Sequence, residues 1–115
     1  LLDEMLVRSA DVFRNLRVYP DRMRENLDAT KGQVMAESAM IALARKGMGR
    51  QDAHRLVRDA AQKARLRGIH LRDVLAADPR VSKVLSAREL ADAMNADKYV
   101  GRSVDIVEAV AAKFP

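Results

Sequence analysis

From Leu1 to Phe114 the apolar residues of this chain recur three or four positions apart, and nowhere do they alternate with polar ones over the length of a strand. Recurrence near 3.6 makes one face of a helix, whereas a strand needs a period of two. With no hairpin dipeptides between alternating runs, no sheet is expected. The pattern predicts an all-α fold of about six or seven helices, several of them short. At 115 residues there is room for one core but not for two ordinary domains. An apolar content of 49% places the chain outside the disordered class.

Punctuation divides the pattern. Leu1, Leu2, Met5, Leu6, Val12, Phe13 and Leu16 fall within an arc of roughly 140° on a helix over residues 1–16. Val18-Tyr19-Pro20 ends it, because a residue before proline leaves the α region. Pro20 and Asp21 then suit the first turn of a short helix striped by Met23 and Leu27 and closed at Ala29-Thr30-Lys31-Gly32. Residues 33–46 predict a helix apolar on nearly all sides, hence central, stopped by Lys46-Gly47. A fourth helix over 50–67 carries an arc of Ala53, Leu56, Val57, Ala60, Ala61 and Ala64 and stops at Gly68. A shorter one over 70–77 ends at Asp78-Pro79. Ser86 with Glu89 reads as a capping box for a helix reaching Met94. Asn95 to Tyr99 reads as a single turn, and Ser103 as the cap of a last helix.

The N-terminus lacks a basic region and a cleavage signature, so it does not read as a signal peptide. Its leucines are in helical phase at once, with no capping residue before them, which leads us to expect a piece of something longer. No run is apolar enough for a membrane span. Without cysteine there is neither a disulfide framework nor a thiolate metal site, as suits a reducing compartment.

The net charge of +5 is unevenly placed. Residues 45–72 hold nine Lys/Arg against two Asp, while each flank is close to neutral. Arg55, Arg58 and Arg65 point away from the apolar arc of their helix, as on a solvated face or a subunit contact. With only Phe13, Tyr19, Tyr99 and Phe114 as aromatics, little is available to stack on bases, and nucleic acid is not the expected partner.

Candidates for chemistry are few. His54 and His70 are the only histidines, too far apart in sequence for metal-ligand spacing. His70 begins a helix with Asp73 three positions on, a pair that could hold the imidazole; a capping or surface role is the expected one for both histidines. Glu25 with Asp28, and Glu89 with Asp92, read as helix-surface carboxylates. There is no phosphate-cradling glycine loop and no nucleophile with a base beside it. No catalytic, substrate-binding or metal residue is assigned, and no cofactor is expected.

The punctuated stretch NLRVYPDRMRENLDATKG (15–32) resembles the start of the C-terminal domain of adenylosuccinate lyases, in its Asn-Leu, its Val-x-Pro and its Met-x-x-Asn-Leu ahead of a glycine turn. The likeness continues in order through Ala36-Glu37, Ala42-Leu43, Lys46-Gly47-Met48 and Arg50-Gln51-Asp52-Ala53-His54. Leu71-x-Asp73-x-Leu75, Asp78-x-x-Val81, Leu85-Ser86, Leu90 and Tyr99-Val100-Gly101 complete it, so that it covers about residues 12–114. Arg17 and Gly49 depart from the pattern, at positions of turn geometry and helix capping.

The resemblance implies a parent enzyme of the fumarase/aspartase superfamily, cytoplasmic and homotetrameric, built on a bundle of long helices. Such an enzyme eliminates fumarate from adenylosuccinate, giving AMP, and from succinyl-aminoimidazole-carboxamide ribotide in purine synthesis. A loop serine is its base and a histidine its acid. The loop's Ser-Ser-x-Met-Pro-x-Lys-x-Asn-Pro signature does not occur here, and neither His54 nor His70 matches the family's histidines. On this likeness residues 1–18 are the end of a central-bundle helix and 19–115 the C-terminal helical domain, partnered by upstream domains and other subunits. Residues 1–16, uncovered, would self-associate or fray. The alternatives are the similar terminal domain of a carboxymuconate cycloisomerase-like enzyme, and a free-standing basic helical module that binds nucleic acid.

Overall fold

The computed structural model describes residues 1–114. Among them the chain forms eight α-helices and two 3-10 turns, with no strand. The helices are α1 (Leu2–Arg14), α2 (Pro20–Ala29), α3 (Ala36–Arg45), α4 (Arg50–Arg67), α5 (Leu71–Ala76), α6 (Pro79–Ser82), α7 (Ala87–Ala93) and α8 (Ser103–Lys113). The all-α expectation therefore holds. The one element not foreseen is α6, a single turn that Pro79 opens where the sequence suggested only a stop. Asp78 caps it, accepting the backbone N–H of Arg80 at 2.9 Å. Pro79 sits where a missing N–H costs nothing.

Local signals account for most boundaries. Pro20 is the first residue of α2, behind a Tyr19 whose backbone has left the helical region. Gly68, at φ 63°, ends α4 in the left-handed region that favours glycine. The Ser86–Glu89 capping box is complete: the Glu89 N–H donates to Ser86 Oγ at 3.2 Å and the Ser86 N–H to Glu89 Oε2 at 2.9 Å. Ser103 differs from expectation, being the first residue of α8 behind Arg102 rather than its cap. Its hydroxyl donates to the Val100 carbonyl at 2.7 Å, which turns it back into the preceding loop. The first turn of the expected 33–46 helix, Gln33–Met35, winds as 3-10.

The core is built where α4 lies against α3 and α5, with α6 and α7 closing it. Ala39 and Leu43 of α3 meet the Ala53, Leu56, Val57, Ala60 and Ala64 stripe of α4 in one buried cluster with Leu71, Leu75, Val81, Leu85 and Leu90. Alanines along α4 let the neighbouring helices come close, and the leucines fill what remains. The outer side of α3 is only partly covered: Met40, Ile41 and Ala42 are half-buried, so its apolar girth outruns the helices that surround it.

The ends behave differently. α1, α2 and α8 contain no buried residue. Phe13 and Phe114 are 76% and 77% exposed, although each belongs to the apolar face of its helix. The Cα radius of gyration is 19.5 Å and the long dimension 60 Å, against about 13 Å expected for the radius of a compact chain of this length. The packed body is thus residues 33–98, with helices standing off it on either side.

Leu43 and Leu75 are fully buried, so Leu→Ala at either should cost about 2–5 kcal/mol. Leu6→Ala on exposed α1 should leave thermal unfolding of the body nearly unchanged. Scanning calorimetry on the three variants checks the division between body and arms.

Candidate functional site

The two histidines lie on different elements, and neither meets a catalytic partner. His54 is exposed on α4. With Glu37 and Arg58 it edges a shallow groove floored by Ala36, Met40, Val57 and Ala61. His70 caps α5, its Nδ1 accepting the backbone N–H of Arg72 at 3.1 Å. The suggested His70–Asp73 pair does not form. Asp73 turns instead to Arg72 Nε at 3.8 Å, because the imidazole nitrogen nearest the helix is already occupied by the cap.

His70 has a second structural task. Gly32, at φ 81°, presents its bare Cα to the ring, and a Cβ there would stand 2.4 Å from Cε1. Next to it Lys31 is held at φ 49°, left-handed although it is not glycine. Two contacts fix it. Its carbonyl accepts the N–H of Leu71 at 2.9 Å, and its ammonium donates to the Gly68 carbonyl at 2.5 Å. The turn that ends α2 and the turn that joins α4 to α5 therefore clasp each other. Gln33 extends the attachment, its amide donating to the Ala61 carbonyl at 3.0 Å. Further along α2, Arg24 pairs with Asp97 at 2.7 Å, and the bond between them holds the guanidinium's pKa above its usual value.

Three of the four singled-out carboxylates are occupied too, and Asp28 is exposed. Glu25 is paired with Arg22, and Asp92 with Lys98. Glu89 receives Lys46 at 2.5 Å on one oxygen and the Ser86 N–H and hydroxyl on the other, which lowers its pKa from 4.5 to about 2. The hydrogen bond from Lys46 is the largest cause. This pair ties the end of α3 to α7 across a groove of about 560 Å³ floored by Ile41, Ala42 and Leu85.

The basic segment is spread over a surface. Arg55, Arg58 and Arg65 are exposed on the outer face of α4, and Arg58 is joined to Asp59 at 3.0 Å. No group of three potential metal ligands occurs among the described residues. What the geometry offers is anchorage. Lys31, Arg24 and Lys46 each bridge elements distant in sequence, and no local pattern announced them, since the partners lie 37, 73 and 43 positions away.

Residues 32–110 match the sequence family described as Adenylosuccinate lyase C-terminus. The adenylosuccinate lyase of Methanocaldococcus jannaschii is 40% identical over 110 residues, 96% of this chain and 24% of that protein. The adenylosuccinate lyase of Pyrococcus abyssi is 41% identical over the same shares. Among solved structures, the beta-carboxy-cis,cis-muconate cycloisomerase of Acinetobacter calcoaceticus superposes with a TM-score of 0.79 at 31% identity, over 94% of this chain and 25% of that one. The chain thus spans about a quarter of the length of these relatives.

Gly32→Ala meets both the left-handed backbone, roughly 1–2 kcal/mol, and the His70 ring. A drop of several degrees in melting temperature is expected, with the Leu71 amide exchanging faster as its acceptor moves. For Glu89 the direction follows from a lowered pKa: its contribution to stability is full above about pH 4.5 and fades as the pH falls towards 2. Glu89→Gln should flatten the fall in stability between those limits, as followed by urea unfolding at a series of pH values.

Proposed function

This chain belongs to the adenylosuccinate lyase C-terminal family, and from that premise we propose that it is the terminal helical domain of an enzyme that eliminates fumarate from adenylosuccinate, leaving AMP. The same enzyme would act on succinyl-aminoimidazole-carboxamide ribotide, in the cytoplasm and as a homotetramer. The match over residues 32–110, in relatives four times as long, is the observation that carries this reading. Within the enzyme, residues 1–18 end a bundle helix and residues 19–115 form the terminal domain. The bare apolar face of α1, with Leu2, Met5, Leu6 and Phe13 exposed, supports such a continuation into other helices.

On this reading the domain's contribution is structural. Elimination needs a base to take the proton and an acid to protonate the leaving nitrogen, each within hydrogen-bond reach of the substrate. Here His70 caps a helix, and the acidic residues Glu25, Glu89 and Asp92 are bound to cations. The groups that do the chemistry are assigned to the upstream part of the enzyme. A cycloisomerase-like parent is the second reading, favoured by the superposition on the Acinetobacter enzyme.

The two readings separate in a direct assay. The full-length parent, given adenylosuccinate, should release fumarate with the change in purine ultraviolet absorbance as AMP forms, and should not turn over 3-carboxy-cis,cis-muconate. Turnover of the muconate alone would move the chain to the second reading. Residues 1–115 by themselves should show no release of fumarate; measurable turnover by them would overthrow the structural assignment.

A further inference from the structure

The bond that caps α5 holds only while the His70 ring is neutral. Nδ1 accepts the Arg72 N–H at 3.1 Å. An imidazole nitrogen accepts only through a lone pair, so the ring's one proton belongs on Nε2. A second proton, on Nδ1, would turn the acceptor into a donor aimed at another donor. It would also set a positive charge at the start of a helix, where the backbone dipoles already present their positive ends.

The same ring lies in the joint between two turns. A Cβ on Gly32 would stand 2.4, 2.8 and 3.0 Å from Cε1, Nε2 and Nδ1, so this edge of the imidazole covers the bare Cα. The next amide, that of Leu71, donates to the Lys31 carbonyl at 2.9 Å. The capping bond and the bond that joins the turns therefore start from successive amides, and a ring that leaves its place withdraws support from both.

The charges around the ring give a second proton no partner. α2 brings Arg24 and Asp28 to the cavity beside it, and α5 brings Arg72. Lys31 precedes Gly32 in the facing turn, and Asp73 follows on α5. Arg24 is committed to Asp97, and Asp73 faces Arg72. Neither Asp28 nor Asp73 receives a bond from the ring among the described residues. The remaining side, formed by Ala91, Met94, Asn95 and Ala96, carries no titratable group.

We propose that His70 is a proton-operated latch: neutral, it fastens the start of α5 to the turn at Lys31-Gly32, and once protonated it lets both go. Histidine is the side chain that changes charge between about pH 5 and 8. The proton binds the unlatched form in preference, so the hold strengthens as the pH rises across that range. The Glu89 contribution fades only below about pH 4.5 and stays out of this window. The inference rests on bonds within this chain and is independent of the substrate.

Two measurements test it. In the 115-residue chain carrying isotope-labelled histidine, the two rings give separate magnetic resonance signals, which His54→Asn assigns. At about pH 8, above the histidine range, His70 should be the Nε2–H tautomer; a proton on Nδ1 there would overturn the proposal. In the full-length parent, hydrogen exchange is followed by mass spectrometry on peptides covering residues 28–34 and 69–76, with rates corrected for the intrinsic effect of pH. On going from about pH 8 to about pH 5, both peptides should lose about fivefold in protection, the worth of one helix cap. His70→Asn keeps a capping oxygen but does not titrate, and its protection should stay constant over the range. His54→Asn should respond as the unaltered enzyme does. Protection that ignores pH in the unaltered enzyme, falls equally in His70→Asn, or loses its response in His54→Asn would each refute the latch.

Discussion

The packing of α4 against α3 and α5 is the constraint on which the rest of the molecule rests. α4 is the longest helix, at 18 residues, and its buried stripe is three alanines with one valine and one leucine. Small residues bring helix axes together, so that dispersion contacts become numerous and few voids remain. Leu43, Leu71 and Leu75 then close on that seam from neighbouring elements. Each later piece is short: α5 has six residues, α6 four and α7 seven. Isolated helices of such length do not persist in water. They exist because their few leucines and valines are needed on a surface already formed.

That dependence explains how polar chemistry is used here. Short helices expose a large share of unpaired backbone groups, and the side chains near them are spent on covering these. His70, Asp78, Ser86 and Asn95 each accept an N–H at the start of an element. Residue types that elsewhere build active sites are consumed here as fasteners. A histidine with its ring nitrogen committed to a backbone amide, and a glutamate held by a lysine and a serine, are poor candidates for moving protons in a reaction.

The sequence made some of this legible and left some hidden. α4 was readable to its last residue, because an uninterrupted small-residue arc and Gly68 both spoke for it. The capping box at Ser86 was readable because its two partners are three residues apart. α6 was missed because one turn gives no periodicity, and Ser103 was misplaced because a serine before an apolar run can also fold back on the loop. The clasp was invisible. Nothing local marks Lys31 as reaching Gly68, and only the fold brings the two turns together. The family resemblance rested on the order of many weak signals over residues 12–114, and the match over 32–110 coincides with its central and later part. It said nothing of any catalytic position in this chain; of the histidines and carboxylates that drew attention, His70, Glu25, Glu89 and Asp92 are engaged in capping or ion pairs, while His54 and Asp28 are exposed.

Lys31 carries a consequence for what this position can accept. Its backbone sits where glycine would be most at ease, yet glycine has no ammonium to offer Gly68. Asparagine tolerates the left-handed region better than other L-residues, but its amide is several bonds shorter than a lysine. The site is therefore under two demands that no single residue type meets well, one from the main chain and one from the side chain. A lysine settles the conflict in favour of reach. In a changing sequence such a position is expected to drift in concert with the turn it grips and not alone.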